Sequence, residues 1–121
     1  MNIELREIRE QQKPVLSRLI QLYLYEFSEL EGFDIEPDGL FEYRHLDSYW
    51  NTSDRFPFLI YAETRNAGFV LVNSETYLWD GDARSIAEFF VLRKYRRKGI
   101  GRVAAFRIFD MFPGQWEVRE I

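Results

Sequence analysis

The sequence predicts a chain of the α/β class with the element order β-α-α-β-β-β-α-β, ending at a fifth strand. Three observations carry that prediction. Apolar residues with helical spacing follow Pro14. Two β-branched and aromatic runs, FPFLIYAE and AGFVLVNSE, are separated only by TRN. A third apolar run leads through the basic, glycine-containing stretch YRRKGIG into a second helical pattern.

Taken in order, Ile3 and Leu5 alternate with polar neighbours and predict the first strand. Pro14 suits a first helical turn, where its missing N–H costs nothing. Leu16, Leu19, Ile20, Tyr23, Phe27 and Leu30 then mark one face of an amphipathic helix. EGFDIEPDG is a loop, punctuated by Pro37 and two glycines. LFEYRHLDSYW predicts a second, shorter helix, with His45 on a face shared with Phe41 and Tyr49, and NTSDR ends it. The two apolar runs form an antiparallel hairpin, and TYLWDGDARS is a further turn, tightest at Asp80-Gly81. SIAEFFVL, apolar except for Glu88, predicts a strand buried on both faces. A helix from Gly99 to Phe112 follows, stopped by Pro113-Gly114, and QWEVREI is the last strand.

The 121 residues suit a single domain, 1–121, and are too few for two cores. No apolar run approaches the roughly 20 residues of a membrane span. The charged N-terminus is not a secretory signal, and with no cysteine the expected compartment is the cytoplasm. The net charge of -4 speaks against a general nucleic-acid binder. Its distribution is uneven. Nine acids lie between Glu26 and Asp54, with Arg44 and the adjoining Arg55 as the strong bases, whereas Arg93 to Arg107 holds seven bases and no acid. No His/Cys/Asp cluster has metal-ligand spacing, so no metal is expected, and one histidine cannot complete a catalytic triad. The glycosylation-type triplet at Asn51 has no use without secretion.

The basic region is the informative one. Arg96, Arg97 and Lys98 crowd the start of a helix, the end whose dipole disfavours cations. The conflict disappears if an anion binds there. Gly99 and Gly101 let a phosphate approach the backbone, unpaired N–H groups converge on it, and Ile100 anchors the loop in the core. A Rossmann site is disfavoured because Ala104 stands where its third glycine belongs, and no Walker loop is present.

VLRKYRRKGIGRVAA, Val91 to Ala105, closely resembles the acetyl-CoA-binding motif of the GCN5-related N-acetyltransferase (GNAT) superfamily, with Arg96, Gly99 and Gly101 at the Arg/Gln-x-x-Gly-x-Gly/Ala positions. Val91 stands at the usual distance upstream and Tyr95 directly precedes the arginine. The resemblance implies a mixed, mostly antiparallel sheet flanked by helices, with acetyl-CoA as co-substrate. It implies that backbone N–H groups from Arg97 through Lys98, Gly99, Ile100 and Gly101 to Arg102 hold the pyrophosphate. Phe89, Phe90 and Val91 would border the acyl group and pantetheine arm, where the family splays its fourth and fifth strands apart. Arg93, Lys94 or Arg102 could meet the other phosphate.

The implied reaction is acetyl transfer from the thioester to a primary amine by direct attack, which needs a proton acceptor and a backbone donor for the oxyanion. Glu88, the lone acid of its strand, is the candidate base; the alternative is a structural pairing with a basic residue. The acidic helix-loop-helix would border a small-molecule or peptide amine acceptor, with Tyr25, Glu26 and Asp34 as candidate acceptor residues. Otherwise it is a solvated face. Tyr23, Tyr25, Tyr43 and Trp50 could line a pocket or belong to the core.

The family continues beyond its fifth strand with a helix, which supplies a tyrosine acid, and two more strands. This sequence stops at Ile121, and no residue matches that tyrosine. The readings are a fragment, a fold completed by a partner (including a homodimer through the unpaired last strand), or a truncated relative that binds CoA without turnover. A nucleic-acid binder using the Arg93–Arg107 patch is the remaining alternative.

Overall fold

The computed structural model describes residues 1–76 and 83–118. Its strands are β1 (Ile3–Glu7), β2 (Phe56–Ala62), β3 (Arg65–Asn73), β4 (Ala83–Val91) and β5 (Gln115–Val118). Its α-helices are α1 (Lys13–Glu31), α2 (Ser48–Asn51) and α3 (Ile100–Met111). The element order is the one the sequence predicts. The strands form one sheet in the order β1-β2-β3-β4-β5, antiparallel except for the parallel β4–β5 pair.

Alternation along the central strands explains the layers. Phe58, Ile60, Val70 and Val72 face α3, which presents Ile100, Ala104 and Ile108 to them at four-residue intervals. Leu59, Phe69, Leu71 and Phe90 face the other way, against Leu16, Leu19, Ile20 and Tyr23 of α1. Both faces of β2 and β3 are therefore dry, and each fully buried aliphatic side chain contributes roughly 1.5–3 kcal/mol relative to exposure. Pro14 sits in the first turn of α1, and Gly32 closes the helix with its N–H on Ser28 O at 2.9 Å.

Three expectations are corrected. The helix read over LFEYRHLDSYW is a single turn, Ser48–Asn51, preceded by turns. The reason is a competing hydrogen bond pair. Gln21 of α1 donates Nε2 to Phe41 O and accepts from Phe41 N through Oε1, both at 2.8 Å. Its amide imitates a neighbouring strand and takes the backbone groups a helix would need. His45 is accordingly exposed in a turn, not on a helix face. The hairpin turn is also tighter than TRN suggests. Only Glu63 and Thr64 lie between β2 and β3, both at positive φ, as a primed two-residue turn demands.

The third correction concerns β4. It begins at Ala83 rather than Ser85, and Ile86 to Phe89 are only half-buried. Its register against β3 slips: Leu71 pairs with Glu88 but Val72 with Ile86, so Ala87 is an extra residue, a β-bulge. Among the described residues β5 pairs with β4 from Ala83 to Ile86. Among the described residues no strand pairs with the β5-side edge of β4 beyond that point, and Ile86 to Phe89 are left half-buried there. The tight point assigned to Asp80-Gly81 and the end of the last strand fall outside the described residues.

Candidate active site

The open edge of β4 is walled by α1 on one side and α3 on the other. Two cavities of about 420 and 580 Å³ lie there and share Tyr23, Phe27 and Phe89. The first continues past Phe90 and Val91 to Glu26, Arg93 and Arg96; the second runs past Ile86, Ala87 and Ala105 to Phe109 and Val118. The bulge at Ala87 thus lies on the wall of the second cavity, where it bends the strand and re-aims the residues that follow.

The loop after β4 reaches α3 through two left-handed residues, Arg97 at φ 62° and Gly99 at φ 78°. Gly99 is the N-cap of α3 and carries no side-chain cap. The first α3-region N–H with a recorded acceptor is Val103, on Gly99 O at 3.1 Å. Among the described residues, no hydrogen bond is recorded for the N–H groups of Arg97 to Arg102. Six consecutive donors, with the positive end of the helix dipole behind them, suit a pyrophosphate. Ile100 is buried and pins the loop to the sheet. A methyl group at Gly101 would lie 3.6 Å from Phe89 and Val91, ordinary contact with β4, whereas Gly99 has open space around it and is fixed by conformation.

The cations of the motif divide. Arg97, Lys98 and Arg102 are exposed around the loop. Arg96 turns back instead. Its Nη2 donates to both oxygens of Glu26 at 2.9 and 2.7 Å and its Nε to Val91 O at 2.8 Å. Arg93 approaches Glu26 more distantly, at 3.4 Å. Arg107, at the far end of the basic run, donates to the carbonyl of Ile3.

The structure places the candidate acceptor residues in two places. Glu26 is on the first cavity, engaged by Arg96. Tyr25 and Asp34 lie together in a separate surface cleft between α1 and the following loop, with Phe33, Ile35 and Leu40. Glu88 lies on the α1 side of the sheet, two residues from Phe90 and opposite Leu71. Tyr23, Tyr43 and Tyr49 stand close enough to feel its charge. Burial pushes the Tyr23 and Tyr43 hydroxyls far above the usual phenol range. Burial likewise pushes Tyr49 up, to about 12, against the opposing pull of Arg55.

Of the aromatic residues considered as pocket or core, Tyr23 is both: it is buried and lines both cavities. Trp50 belongs to the core, donating Nε1 to Ile8 O at 2.9 Å. Phe27, Phe109 and the bulged Ala87 complete the walls, and of these the sequence marks only Phe27, as part of the apolar helix face. For Phe27 the helical spacing from Tyr23 was the available signal. Among the described residues no group of His, Cys, Asp and Glu could hold a metal ion. No described helix is long and apolar enough to cross a membrane.

The family model described as "Acetyltransferase (GNAT) family" matches residues 16–119. No curated protein matches the chain. Among solved structures the chain is similar to a possible acetyltransferase from Clostridium difficile 630, with 17% identity, TM-score 0.72, and coverage of 100% of this chain and 81% of that one. It is similar to an aminoglycoside acetyltransferase from an uncultured soil metagenomic sample, in complex with sisomicin: 20% identity, TM-score 0.66, coverage 98% and 78%. A predicted acetyltransferase from Clostridium acetobutylicum, solved with acetyl-CoA, shows 12% identity, TM-score 0.70, and coverage of 98% and 81%. At these identities the structural likeness speaks for the fold.

Proposed function

The chain belongs to the acetyltransferase (GNAT) family, and from that premise we propose that it transfers an acetyl group from acetyl-CoA to a primary amine by direct attack. Acetyl-CoA supplies the activated acyl group as a thioester. The unpaired N–H groups of Arg97, Lys98, Gly99, Ile100, Gly101 and Arg102 hold its pyrophosphate, and the exposed side chains around them add favourable potential. That row of open donors is the observation that carries the reading. Arg96 braces the loop against α1, and Arg93, Lys94 or Arg102 is available to the remaining phosphate.

Phe89, Phe90 and Val91 form the β4 wall along which the pantetheine arm lies, and the bulge at Ala87 sets where the acyl carbon stops. The attacking amine must be neutral, and Glu88 receives its proton. The second cavity is walled by apolar side chains, a setting in which charge movement is felt more strongly than in water. The acidic face supports a cationic acceptor. Glu26 would receive it at the first cavity in exchange for Arg96, while Tyr25 and Asp34 would attract it from the neighbouring cleft. A similar fold crystallised with sisomicin is consistent with a small polycationic amine as acceptor.

Thermal-shift titration tests the donor half of this reading, since a native-state ligand raises stability by mass action. Acetyl-CoA raises Tm progressively up to millimolar concentration, and a single-stranded oligonucleotide does not. No shift with acetyl-CoA, or a larger one with the oligonucleotide, sinks the proposal.

A further inference from the structure

On the other flank of α1 from the first cavity, the fold leaves an apolar surface uncovered. Leu22, Tyr25, Phe33, Ile35 and Leu40 are between 39% and 69% exposed, yet they converge on one cleft of about 510 Å³. We propose that this cleft docks the acceptor, and that the acceptor is a cationic peptide segment with an apolar side chain about three or four residues from the acetylated lysine. The proposal rests on the reading of the chain as an acetyltransferase and names its substrate class.

Single exposed apolar residues need no explanation, but five around one cleft do. The cleft is held open by its own loop. Gln21 of α1 fixes Phe41 through two hydrogen bonds of 2.8 Å, and Phe33 meets Phe41 edge-on with ring centroids 5.8 Å apart. Within the loop, Glu36 N donates to Leu40 O and Gly39 N to Glu36 O, both at 2.8 Å. An occupant therefore meets a formed surface, and little ordering opposes its binding.

Charge selects the occupant. Asp34 lies in the cleft, and Glu36, Asp38 and Glu42 border an adjoining one that shares Leu40 and Phe41. Arg44 pairs with Glu42, so the rim as a whole is negative. The same surface on a second copy would set acid against acid, whereas a basic segment is attracted. A polycation without an apolar side chain has nothing to place among Leu22, Phe33, Ile35 and Leu40.

Position supplies the spacing. Tyr25 and Ser28 line the cleft, while their neighbours in sequence, Glu26 and Glu29, line the first cavity. The two openings thus share one stretch of α1 and are separated by its girth. A helix with its side chains is about 10–12 Å across, and an extended chain advances about 3.3–3.6 Å per residue. About three or four residues span that width, crossing the exposed Tyr25 and Glu29.

The test measures CoA release by the full chain with acetyl-CoA and end-blocked peptides, each with one lysine among arginine, glycine and serine. A leucine stands beside the lysine, three or four residues away, or nowhere. Leucine at the longer spacing lowers the peptide's KM about fivefold or more with kcat unchanged, and leucine beside the lysine does not. Ile35→Ser combined with Leu40→Ser erases that gain, while the KM for spermidine stays within about twofold. Both side chains are more than half exposed, so the variant should fold, and a retained Tm rise with acetyl-CoA verifies it. Should it not fold, Leu40→Ser alone must reduce the gain. If spermidine is acetylated but leucine at this spacing brings no gain, or the gain survives the substitutions, the docking site falls and the acetyltransferase reading stands. The docking site also falls if sedimentation shows self-association that the same substitutions abolish, since a second copy then fills the cleft. If neither spermidine nor any peptide is acetylated, the acetyltransferase reading fails and the docking site with it.

Discussion

Arg96 and Glu26, seventy residues apart in sequence, are joined by two hydrogen bonds from one guanidinium nitrogen, and the same arginine caps the Val91 carbonyl at 2.8 Å. The arginine of the phosphate-loop motif is therefore a brace between α1 and the end of β4. Arg96→Ala removes the nearer partner of the Glu26 carboxylate, leaving the more distant Arg93, and a partner of the Val91 carbonyl. Because both side chains are about a third exposed, the loss should be about 1–2 kcal/mol, read from denaturant unfolding. Acetyl-CoA should still raise the variant's Tm, since backbone groups hold the phosphates. A variant of normal stability that no longer responds to acetyl-CoA would give Arg96 a direct phosphate contact instead.

Gly99 separates conformation from space. Nothing lies within 4 Å of where its Cβ would be, yet its φ of 78° is left-handed. Gly99→Ala should cost about 1 kcal/mol in stability and weaken acetyl-CoA at least tenfold, because relaxing φ turns the six donors away. Calorimetric titration checks it, and unchanged affinity would detach the loop from the ligand.

Gly68 is the opposite case. A Cβ there would lie 1.9 Å from the carbonyl oxygen of Phe90, a backbone atom that cannot step aside. Gly68→Ala must push β3 from β4 beside the cavity, and about 2–3 kcal/mol of destabilisation is expected. Chemical denaturation measures it, and a neutral result would mean that the strands separate there at little cost.

The buried tyrosines fix the response to base. Tyr49 is pushed up to about 12, and Tyr23 and Tyr43 move in the same direction. A folded-state pKa above the unfolded value near 10 means the native state holds its proton longer. That stability is complete below pH 10 and is lost as pH rises from about 10 to 12, by about 1.4 kcal/mol per pH unit for each such tyrosine. Tyr49→Phe should flatten the decline in unfolding free energy between pH 10 and 11.5. An unchanged slope would place Tyr49 outside the effect.

The sequence made the phosphate loop legible because three cations at a helix start conflict with the dipole unless an anion joins them. The element order was legible from apolar periodicity for the same reason: Leu16, Leu19, Ile20 and Tyr23 can share a face only in a helix. What escaped depended on partners distant in the chain. The side chain of Gln21 takes the backbone of Phe41 and shortens a helix that local spacing favours. Glu26 takes Arg96, which local sequence assigned to the cofactor loop. The bulge at Ala87 appears only in the pairing of β4 with β3, and Gly68 only in the closeness of Phe90. Each is a relation across the fold, with no local signature to read.

Transfer of the acetyl group itself is the central step. Incubation of the protein with acetyl-CoA and a panel of amines (spermidine, sisomicin and a lysine peptide), with free CoA and N-acetylated amine both quantified by mass spectrometry, measures it directly. Equal amounts of CoA and acetylated amine, abolished when acetyl-CoA is replaced by CoA, are the expected result. An acetyl-CoA-dependent rise in Tm with no acetylated amine above the protein-free background would contradict the account and leave a protein that binds acetyl-CoA without turning it over.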